Sequence, residues 1–249
     1  MKAQHAPSRP AREFAILLYH RIVVAEPHGE AAKLACSARM LAAHMAALLD
    51  SGYSPVSLDQ ACAWLKSKGR PPGKPVVITL DDGYRDNCDV ALPILRRFGV
   101  PAGVFVATGL VGRSSAWTAV RHPMLSWEQM REMASMGIWF GAHTVNHVRL
   151  TQLPPALARR EIIESRQVLE EQLAMPIHHF AYPYGDHDKC VQASVRAAGF
   201  KTGLSTTAGL NRKSSDPYAL FRVPVSGRNT AAELVQKLGT DHHESSHLK

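Results

Sequence analysis

The feature that most constrains this chain is a regular alternation of short β-rich runs with segments of helical periodicity. Seven runs have the length and composition of strands, at residues 14–19, 76–80, 103–107, 138–142, 179–182, 202–205 and 221–225. Strands that alternate with helices form a parallel sheet with helical crossovers. Seven of them in 249 residues predict an α/β barrel that folds as a single domain.

The segments between the strands repeat apolar residues with the period of an α-helix. They predict helices at residues 38–50, 58–68, 89–98, 127–136, 154–174 and 188–198. Ser126 directly precedes the helix predicted at 127–136, and Gln129 lies three residues after Ser126. This is the spacing of a capping box. Four stretches lack either pattern and predict loops, at 25–34, 70–73, 111–122 and 208–219. The last two are expected to wall a cleft.

The composition is typical of a globular protein. The hydrophobic fraction of 45% is that of an ordinary globular chain and not of a disordered one. No apolar run approaches the roughly 18 residues that a membrane helix needs, so we expect no stable membrane insertion. The first 13 residues lack the apolar core of a secretory signal. This predicts a cytoplasmic protein, with export of a trimmed form left open.

The net charge of +8 does not by itself indicate a nucleic-acid partner. The basic residues are scattered, whereas a nucleic-acid site needs them clustered on one face, so we expect no such partner. A basic surface is equally suited to an anionic glycan or membrane face. The cysteines are widely separated and form no C-x-x-C pair, which predicts reduced, mostly buried thiols. They are Cys36, Cys62, Cys88 and Cys190.

Polar clusters follow four of the predicted strands. His20 follows the first strand, Asp81 and Asp82 follow the second, and a segment with His143 and His147 follows the fourth; the fifth runs into residues 183–185. Active sites of parallel α/β folds collect at the carboxyl ends of the strands. These ends are therefore expected to bring two aspartates and three histidines to one rim of the barrel.

His143 and His147 are four residues apart, so one helical turn would aim both imidazoles at a single point. With one carboxylate they make a two-histidine, one-carboxylate set that leaves coordination positions open for water. Of Asp81 and Asp82, one side chain can reach such a metal while the other faces substrate. The alternatives are histidines with ordinary hydrogen-bond partners and an Asp-Asp-Gly turn that caps a helix.

The order of these motifs resembles a known family. Thr79-Leu80-Asp81-Asp82-Gly83-Tyr84, then His143-Thr144-x-x-His147, then Phe180-Ala181-Tyr182-Pro183-Tyr184-Gly185 are similar to the first three motifs of NodB-type polysaccharide deacetylases, carbohydrate esterase family 4. The resemblance implies a single-domain, distorted (β/α)7 barrel. It divides the chain into an extension at 1–13, the deacetylase domain at 14–239 and a His-rich tail at 240–249.

The resemblance also implies roles for individual residues. Asp82, His143 and His147 would hold a divalent metal, commonly zinc, and Asp81 would be the general base. Tyr184 matches the position whose backbone N–H stabilises the oxyanion. Pro183 of the same motif is expected to lie in the substrate-binding site.

The chain departs from the usual family pattern in two respects. The late Leu-x-His motif that supplies the general acid is missing, and Leu18-Tyr19-His20 stands at the start of the chain instead. This is similar to the circularly permuted members that deacetylate poly-N-acetylglucosamine, so His20 is the expected general acid. The arginine that orients the catalytic aspartate is replaced by Ala181, and Arg222 on the last predicted strand is expected to take its place. The Asp-x-x-Asp-Trp motif is missing as well.

These observations predict a metal-dependent deacetylase that hydrolyses N-acetyl groups of amino sugars in a poly- or oligosaccharide. An O-acetyl esterase or a deformylase of a lipid-linked amino sugar would use the same residues. From another class, a catalytically silent glycan-binding module would have the same fold. Retention of both aspartates and all three histidines favours an enzyme over a silent module.

Overall fold

The computed structural model describes residues 13–66, 73–117 and 120–239. Its strands alternate with helices along the chain. The strands are β1 (Glu13–Tyr19), β2 (Arg21–Val23), β3 (Ala35–Ser37), β4 (Tyr53–Pro55), β5 (Lys74–Leu80), β6 (Ala102–Val106), β7 (Trp139–Ala142), β8 (His179–Ala181), β9 (Thr202–Ala208), β10 (Asn211–Arg212) and β11 (Leu220–Pro224). The helices are α1 (Ala31–Leu34), α2 (Ala38–Asp50), α3 (Leu58–Lys66), α4 (Leu92–Phe98), α5 (Trp127–Ser135), α6 (Pro155–Leu173), α7 (Lys189–Ala197) and α8 (Ala231–Gly239).

Seven parallel strands close into a barrel in the order β1-β11-β9-β8-β7-β6-β5, and β5 pairs again with β1. The closing pair runs from Ala15 opposite Val76 to Tyr19 opposite Leu80, so β1 and β5 end side by side. The predicted α/β barrel of seven strands is therefore confirmed. The two remaining strands of the sheet lie outside this closed ring. β4 pairs with β5, and β10 pairs with β1.

The predicted helices lie close to their expected positions, and α2 matches its predicted bounds. The capping box at Ser126 and Gln129 is present, with both reciprocal hydrogen bonds. The helix expected at 89–98 begins with a π-helical turn at Asn87–Ala91. Helix α1 was not predicted, because its four residues fall in the expected loop at 25–34, and α8 was not predicted either.

Some predictions fall outside the described residues. They are the extension before residue 13, the end of the second predicted helix at 67–68, most of the loop at 70–73 and the His-rich tail at 240–249. Among the described helices, none combines the length and apolarity needed to span a membrane. None of the four cysteines forms a disulfide in the described part of the chain, but only Cys36 and Cys62 are buried. Cys190 is exposed, so the expectation of mostly buried thiols is only half met.

Each barrel strand divides its side chains between two apolar cores, because successive residues of a strand point to opposite faces. Ala15, Leu17 and Tyr19 of β1 join the larger core, which lies between the barrel and its surrounding helices. Phe14 and Ile16 join a second core inside the barrel.

Helix α3 closes the amino-terminal end of the barrel. Its apolar side chains Leu58, Ala61, Cys62 and Trp64 belong to the inner core, together with Phe105 and other inward-facing strand residues. Side chains of α3 and of the strands thus fill the barrel interior at its amino-terminal end. The carboxyl end is left for the polar residues of the predicted site.

Candidate active site

The predicted site residues lie at the carboxyl ends of adjacent strands. Asp81 and Asp82 directly follow β5, and the backbone N–H of Asp81 donates to the carbonyl of Tyr19 at 2.9 Å. Because β1 ends at Tyr19, His20 begins the turn beside the two aspartates. His143 directly follows β7, and its backbone N–H donates to the carbonyl of Val106 at 3.0 Å.

The backbone at the site has an unusual conformation. Four of the five non-glycine residues with positive φ in the described chain lie in these turns, with φ of 76° at Asp82, 64° at Thr144, 56° at His147 and 61° at Tyr184. For a β-branched residue such as Thr144 this conformation is a clear outlier. Strain of this kind persists only where surrounding contacts fix it, and it concentrates at functional sites.

Asp82, His143 and His147 converge on one point. The Oδ1 atom of Asp82 is 3.4 Å from Nε2 of His143 and 3.2 Å from Nε2 of His147. All three side chains are buried, and their potential ligand atoms lie within 4.8 Å of one another. Two imidazole nitrogens and a carboxylate oxygen are a donor set that zinc and other divalent transition metals accept. The residues present therefore fit a divalent metal ion.

The two imidazoles have different surroundings. Nδ1 of His143 donates to the carbonyl of Ala181 at 2.7 Å, and this fixes the ring so that Nε2 faces Asp82. Nδ1 of His147 is buried and has no hydrogen-bond partner in the described structure. Trp117 covers this imidazole, with ring centroids 3.9 Å apart and an interplanar angle of 29°.

Electrostatics keep Asp82 ionised. Burial raises the pKa of its carboxyl, but hydrogen bonds with His143 and His147 outweigh burial and hold that pKa well below its usual range. Burial lowers the pKa of both histidines and prevails at His147. At His143 the hydrogen bond to Asp82 and the charges of Asp81 and Asp82 together outweigh burial and raise the pKa. The site thus presents a carboxylate to two imidazoles.

Asp81 is not one of these three converging side chains and pairs with Arg222. Nη1 and Nη2 of Arg222 each donate to a different carboxylate oxygen of Asp81, both at 2.7 Å. Nε of Arg222 donates to the carbonyl of Ser205 at 2.8 Å, and its side chain is 0% exposed. Burial alone raises the pKa of Asp81, but Arg222, followed by His143, lowers it below its ordinary value.

Pro183 and Tyr184 form the turn after β8. Pro183 is buried within this turn, and its place in the substrate-binding site stays a prediction. Arg222, expected to orient the catalytic aspartate, is likewise enclosed and contacts Asp81. Tyr184 is 43% exposed, and the guanidinium of Arg149 lies 4.1 Å from its ring centroid.

Sequence reasoning missed three residues around this site. Trp117 lies in the loop that was expected to wall a cleft, and its Nε1 donates to the Tyr84 hydroxyl at 3.1 Å. It supplies a tryptophan next to the histidines although the Asp-x-x-Asp-Trp motif is missing. Arg149 and Glu161 had no sequence signal, since each is one of many charged residues next to or on a helix.

A second cluster of potential metal ligands lies at the opposite end of β8. Asp59 Oδ2 is 3.1 Å from Nδ1 of His178 and 3.7 Å from Nε2 of His179. Nζ of Lys201 lies 3.2 Å from Asp59 Oδ1 and 2.9 Å from Nδ1 of His178. An ammonium group thus already provides the positive charge, and the cluster ties α3 to the start of β8.

Comparison with known proteins gives a consistent result. A family model described as polysaccharide deacetylase matches residues 68–203, more than half of the chain. YxkH of Bacillus subtilis (strain 168), assigned by name to the polysaccharide deacetylases, is 30% identical over 218 residues, which are 88% of this chain and 73% of that protein.

A second relative is the poly-beta-1,6-N-acetyl-D-glucosamine N-deacetylase of Staphylococcus aureus (strain MSSA476). It is 27% identical over 172 residues, which are 66% of this chain and 58% of that protein. Among solved structures, the deacetylase PplD of Streptococcus pyogenes, in complex with acetate, superposes with a TM-score of 0.82 at 26% identity. The match covers 93% of this chain and 100% of PplD.

Proposed function

This chain belongs to the polysaccharide deacetylase family, and on that premise we propose that it is a metal-dependent enzyme that hydrolyses N-acetyl groups of amino sugars in a glycan. One observation carries the proposal. Asp82 and Asp81 are adjacent residues at the end of one strand. Asp82 belongs to a two-histidine, one-carboxylate set, whereas the carboxylate of Asp81 is fixed by a buried arginine. Hydrolysis of an amide needs both an electrophilic centre and a base next to it.

Asp82, His143 and His147 would hold the metal, and zinc fits their donor atoms. When bound, such an ion polarises the acetyl carbonyl and lowers the pKa of a coordinated water towards about 7. Asp81 accepts a proton from the attacking water. Its two oxygens offer about four lone pairs, so the two hydrogen bonds from Arg222 leave it able to accept another.

The remaining steps need a hydrogen-bond donor for the oxyanion and a general acid for the leaving group. The backbone N–H of Tyr184 donates to the oxyanion as negative charge develops on the carbonyl oxygen. His20, as imidazolium, gives a proton to the sugar nitrogen, because an amine anion is too basic to leave unaided. The products are acetate and a free amino sugar. The charge of His20 also lowers the pKa of Asp81 and Asp82, after the larger effects of burial and their direct partners, which supports its place at the same rim.

The name of one relative supports the proposed substrate class. A relative that is 27% identical carries the name of a poly-β-1,6-N-acetylglucosamine deacetylase, and this favours an N-acetylated amino sugar over an O-acetylated one. The matched segment is 58% of that relative, so less than two thirds of the relative's length is shared with this chain.

The test is acetate release from a panel of N-acetylated β-1,6- and β-1,4-linked glucosamine oligomers, with O-acetylated xylan and an N-formylated amino sugar as further arms. We expect the native protein to release acetate from an N-acetylated oligomer, and metal-stripped protein and Asp81→Asn to release none. Asp81→Asn should keep its metal, since Asp81 is not a proposed ligand. Release from xylan alone, or formate release alone, would replace the proposed function with the esterase or the deformylase.

A further inference from the structure

The turn that carries the two histidines is held in an unusual way. Residues 144–146 connect His143 to His147, and the backbone of Thr144 has a φ of 64°. The hydroxyl of Thr144 accepts a hydrogen bond from the backbone N–H of His147 at 2.9 Å. This single bond closes the turn but does not fix the two peptide groups inside it, which other parts of the molecule hold.

Both of those peptide groups are bonded at both ends. On one side, the backbone N–H groups of Thr108 and Gly109 donate to the carbonyls of Thr144 and Val145, at 3.2 and 2.8 Å. On the other side, the N–H groups of Val145 and Asn146 both donate to Oε2 of Glu161, each at 2.9 Å. The second oxygen of Glu161, Oε1, accepts from the side-chain amide of Asn146 at 2.6 Å.

Glu161 projects from α6, a helix of 19 residues that packs against β7, and is therefore a firm support. Hydrogen bonds to an ionised carboxylate are stronger than those between neutral groups. Anchoring at both ends restricts the rotation of these two neighbouring peptide planes, and this helps to hold the strained φ of Thr144. The direction of the His147 imidazole follows from the orientation of these planes.

We infer that Glu161 is a positioning residue of the metal site: through the turn at 144–146 it sets the distance and angle at which His147 meets His143 and Asp82. This rests on the proposed metal-binding function of those three side chains. Residues that orient ligands without touching the metal change its affinity by about 10- to 100-fold when they are replaced. Glu161 acts on a ligand through the backbone and not through the imidazole itself.

The experiment measures Zn²⁺ affinity and Zn²⁺ loss to a chelator in the full-length chain, with His143→Ala as the baseline for metal held elsewhere, including the tail. We expect Glu161→Ala to weaken binding by about 10- to 100-fold and to release Zn²⁺ faster. Glu164→Gln, on the same helix and paired with Arg160, is the matched control and should stay within about two-fold of the native protein. Thermal unfolding of the metal-free variants checks that each one folds.

A double substitution separates positioning from general destabilisation. In Glu161→Gln the new amide nitrogen faces the amide nitrogen of Asn146, and in Asn146→Asp two carboxylates face each other; each change alone should weaken Zn²⁺ binding. Together they restore a donor opposite an acceptor, so the double variant should bind better than either single one. Additive losses, or an affinity of Glu161→Ala within about two-fold of the native value, would overturn the inference.

The same measurements separate this inference from the proposed function. A native protein that releases acetate but binds no Zn²⁺ at the His143 site would overturn the positioning role and leave the deacetylase activity standing. A protein that binds Zn²⁺ in a Glu161-dependent manner but cleaves no glycan would leave the positioning role standing and remove the activity.

Discussion

Arg222 holds both carboxylate oxygens of Asp81, with each oxygen 2.7 Å from a different guanidinium nitrogen. Arg222 lies on the last strand of the barrel and Asp81 follows β5, and β1 lies between these two strands. The pair therefore links β11 to the end of β5 across β1. A buried ion pair of this kind fixes the position of the carboxylate as well as its charge.

We predict that Arg222→Lys moves the acidic limb of the kcat/KM profile to higher pH. Arg222 lowers the pKa of Asp81, so a weaker partner lets that pKa rise. Because the base must be ionised, activity is lost as the pH falls through its pKa, and the loss then begins at a higher pH. A lysine keeps the charge but lacks the planar fork, so the shift should be smaller than with alanine.

Arg222→Ala carries a further cost, since it leaves a buried carboxylate without a partner and is expected to reduce the free energy of unfolding by about 3–5 kcal/mol. Arg131→Lys, at an exposed ion pair on α5, is the control and should leave the pH profile unchanged. An unshifted acidic limb in Arg222→Lys would mean that Asp81 is not the base that this limb reports.

We predict one tightly bound divalent ion per chain, lost in His143→Ala. Removing one of three protein ligands leaves too few donors to retain it. Metal content is measured by elemental analysis after deletion of residues 240–249, whose histidines can bind metal independently. His178→Ala is a matched control, because His178 belongs to the other Asp–His cluster, and it should keep the ion. Equal metal loss in both variants would speak against the assigned ligands.

His20→Ala should discriminate between substrates by their leaving groups. An amide needs its nitrogen protonated, so turnover of an N-acetylated sugar is expected to fall by about 10²- to 10⁴-fold. The leaving group of p-nitrophenyl acetate needs no proton, and its hydrolysis should fall far less. The comparison uses kcat/KM for both substrates with matched metal content. Losses of equal size on the two substrates would rule out general acid catalysis by His20.

The Asp59 cluster should stabilise the protein in a pH-dependent way. The hydrogen bond with His179 lowers the pKa of Asp59, against a smaller opposing effect of burial, and His178 and Lys201 add to the lowering. A group with a lowered folded-state pKa contributes stability above its unfolded pKa, about 3.9, and loses it as the pH falls below that value. Asp59 is half exposed, which limits the effect to about 1 kcal/mol.

Asp59→Asn is therefore expected to lower the melting temperature at pH 7, with the difference from the native protein shrinking below about pH 4. Asp50→Asn, at the exposed end of α2, is the control. Thermal unfolding followed across this pH range gives the comparison. A difference that stays constant down to pH 3 would show that the charge of Asp59 is not what stabilises the attachment of α3.

The strands and the rim residues could be predicted because both depend on local pattern. Short β-rich runs bounded by turns identified the seven barrel strands, and residues just beyond strand ends must meet at one edge. The same logic placed Arg222 on the last strand, and Ala181 created the need for another arginine. The family resemblance predicted from the motifs is confirmed by the family model and by YxkH.

What could not be predicted depends on tertiary contacts. Helix α3 has an amphipathic pattern like any surface helix, and nothing in that pattern reveals that Leu58 and Trp64 enter the barrel. Glu161 reads as one more charged residue on α6, although its partners are backbone groups. The positive φ of Thr144 and Tyr184 is likewise invisible, because neither residue type favours it.

The position of β1 between β5 and β11 bears on how the molecule folds during synthesis. A ribosome delivers β1 first and β11 last among the barrel strands, so the barrel stays open along one seam until β11 has emerged. Asp81, Asp82 and both metal-facing histidines can be in place before Arg222 arrives. Until then, the carboxylate of Asp81 has no arginine to hold it in position, and the nascent protein has every sequence motif but not the oriented base that the reaction needs.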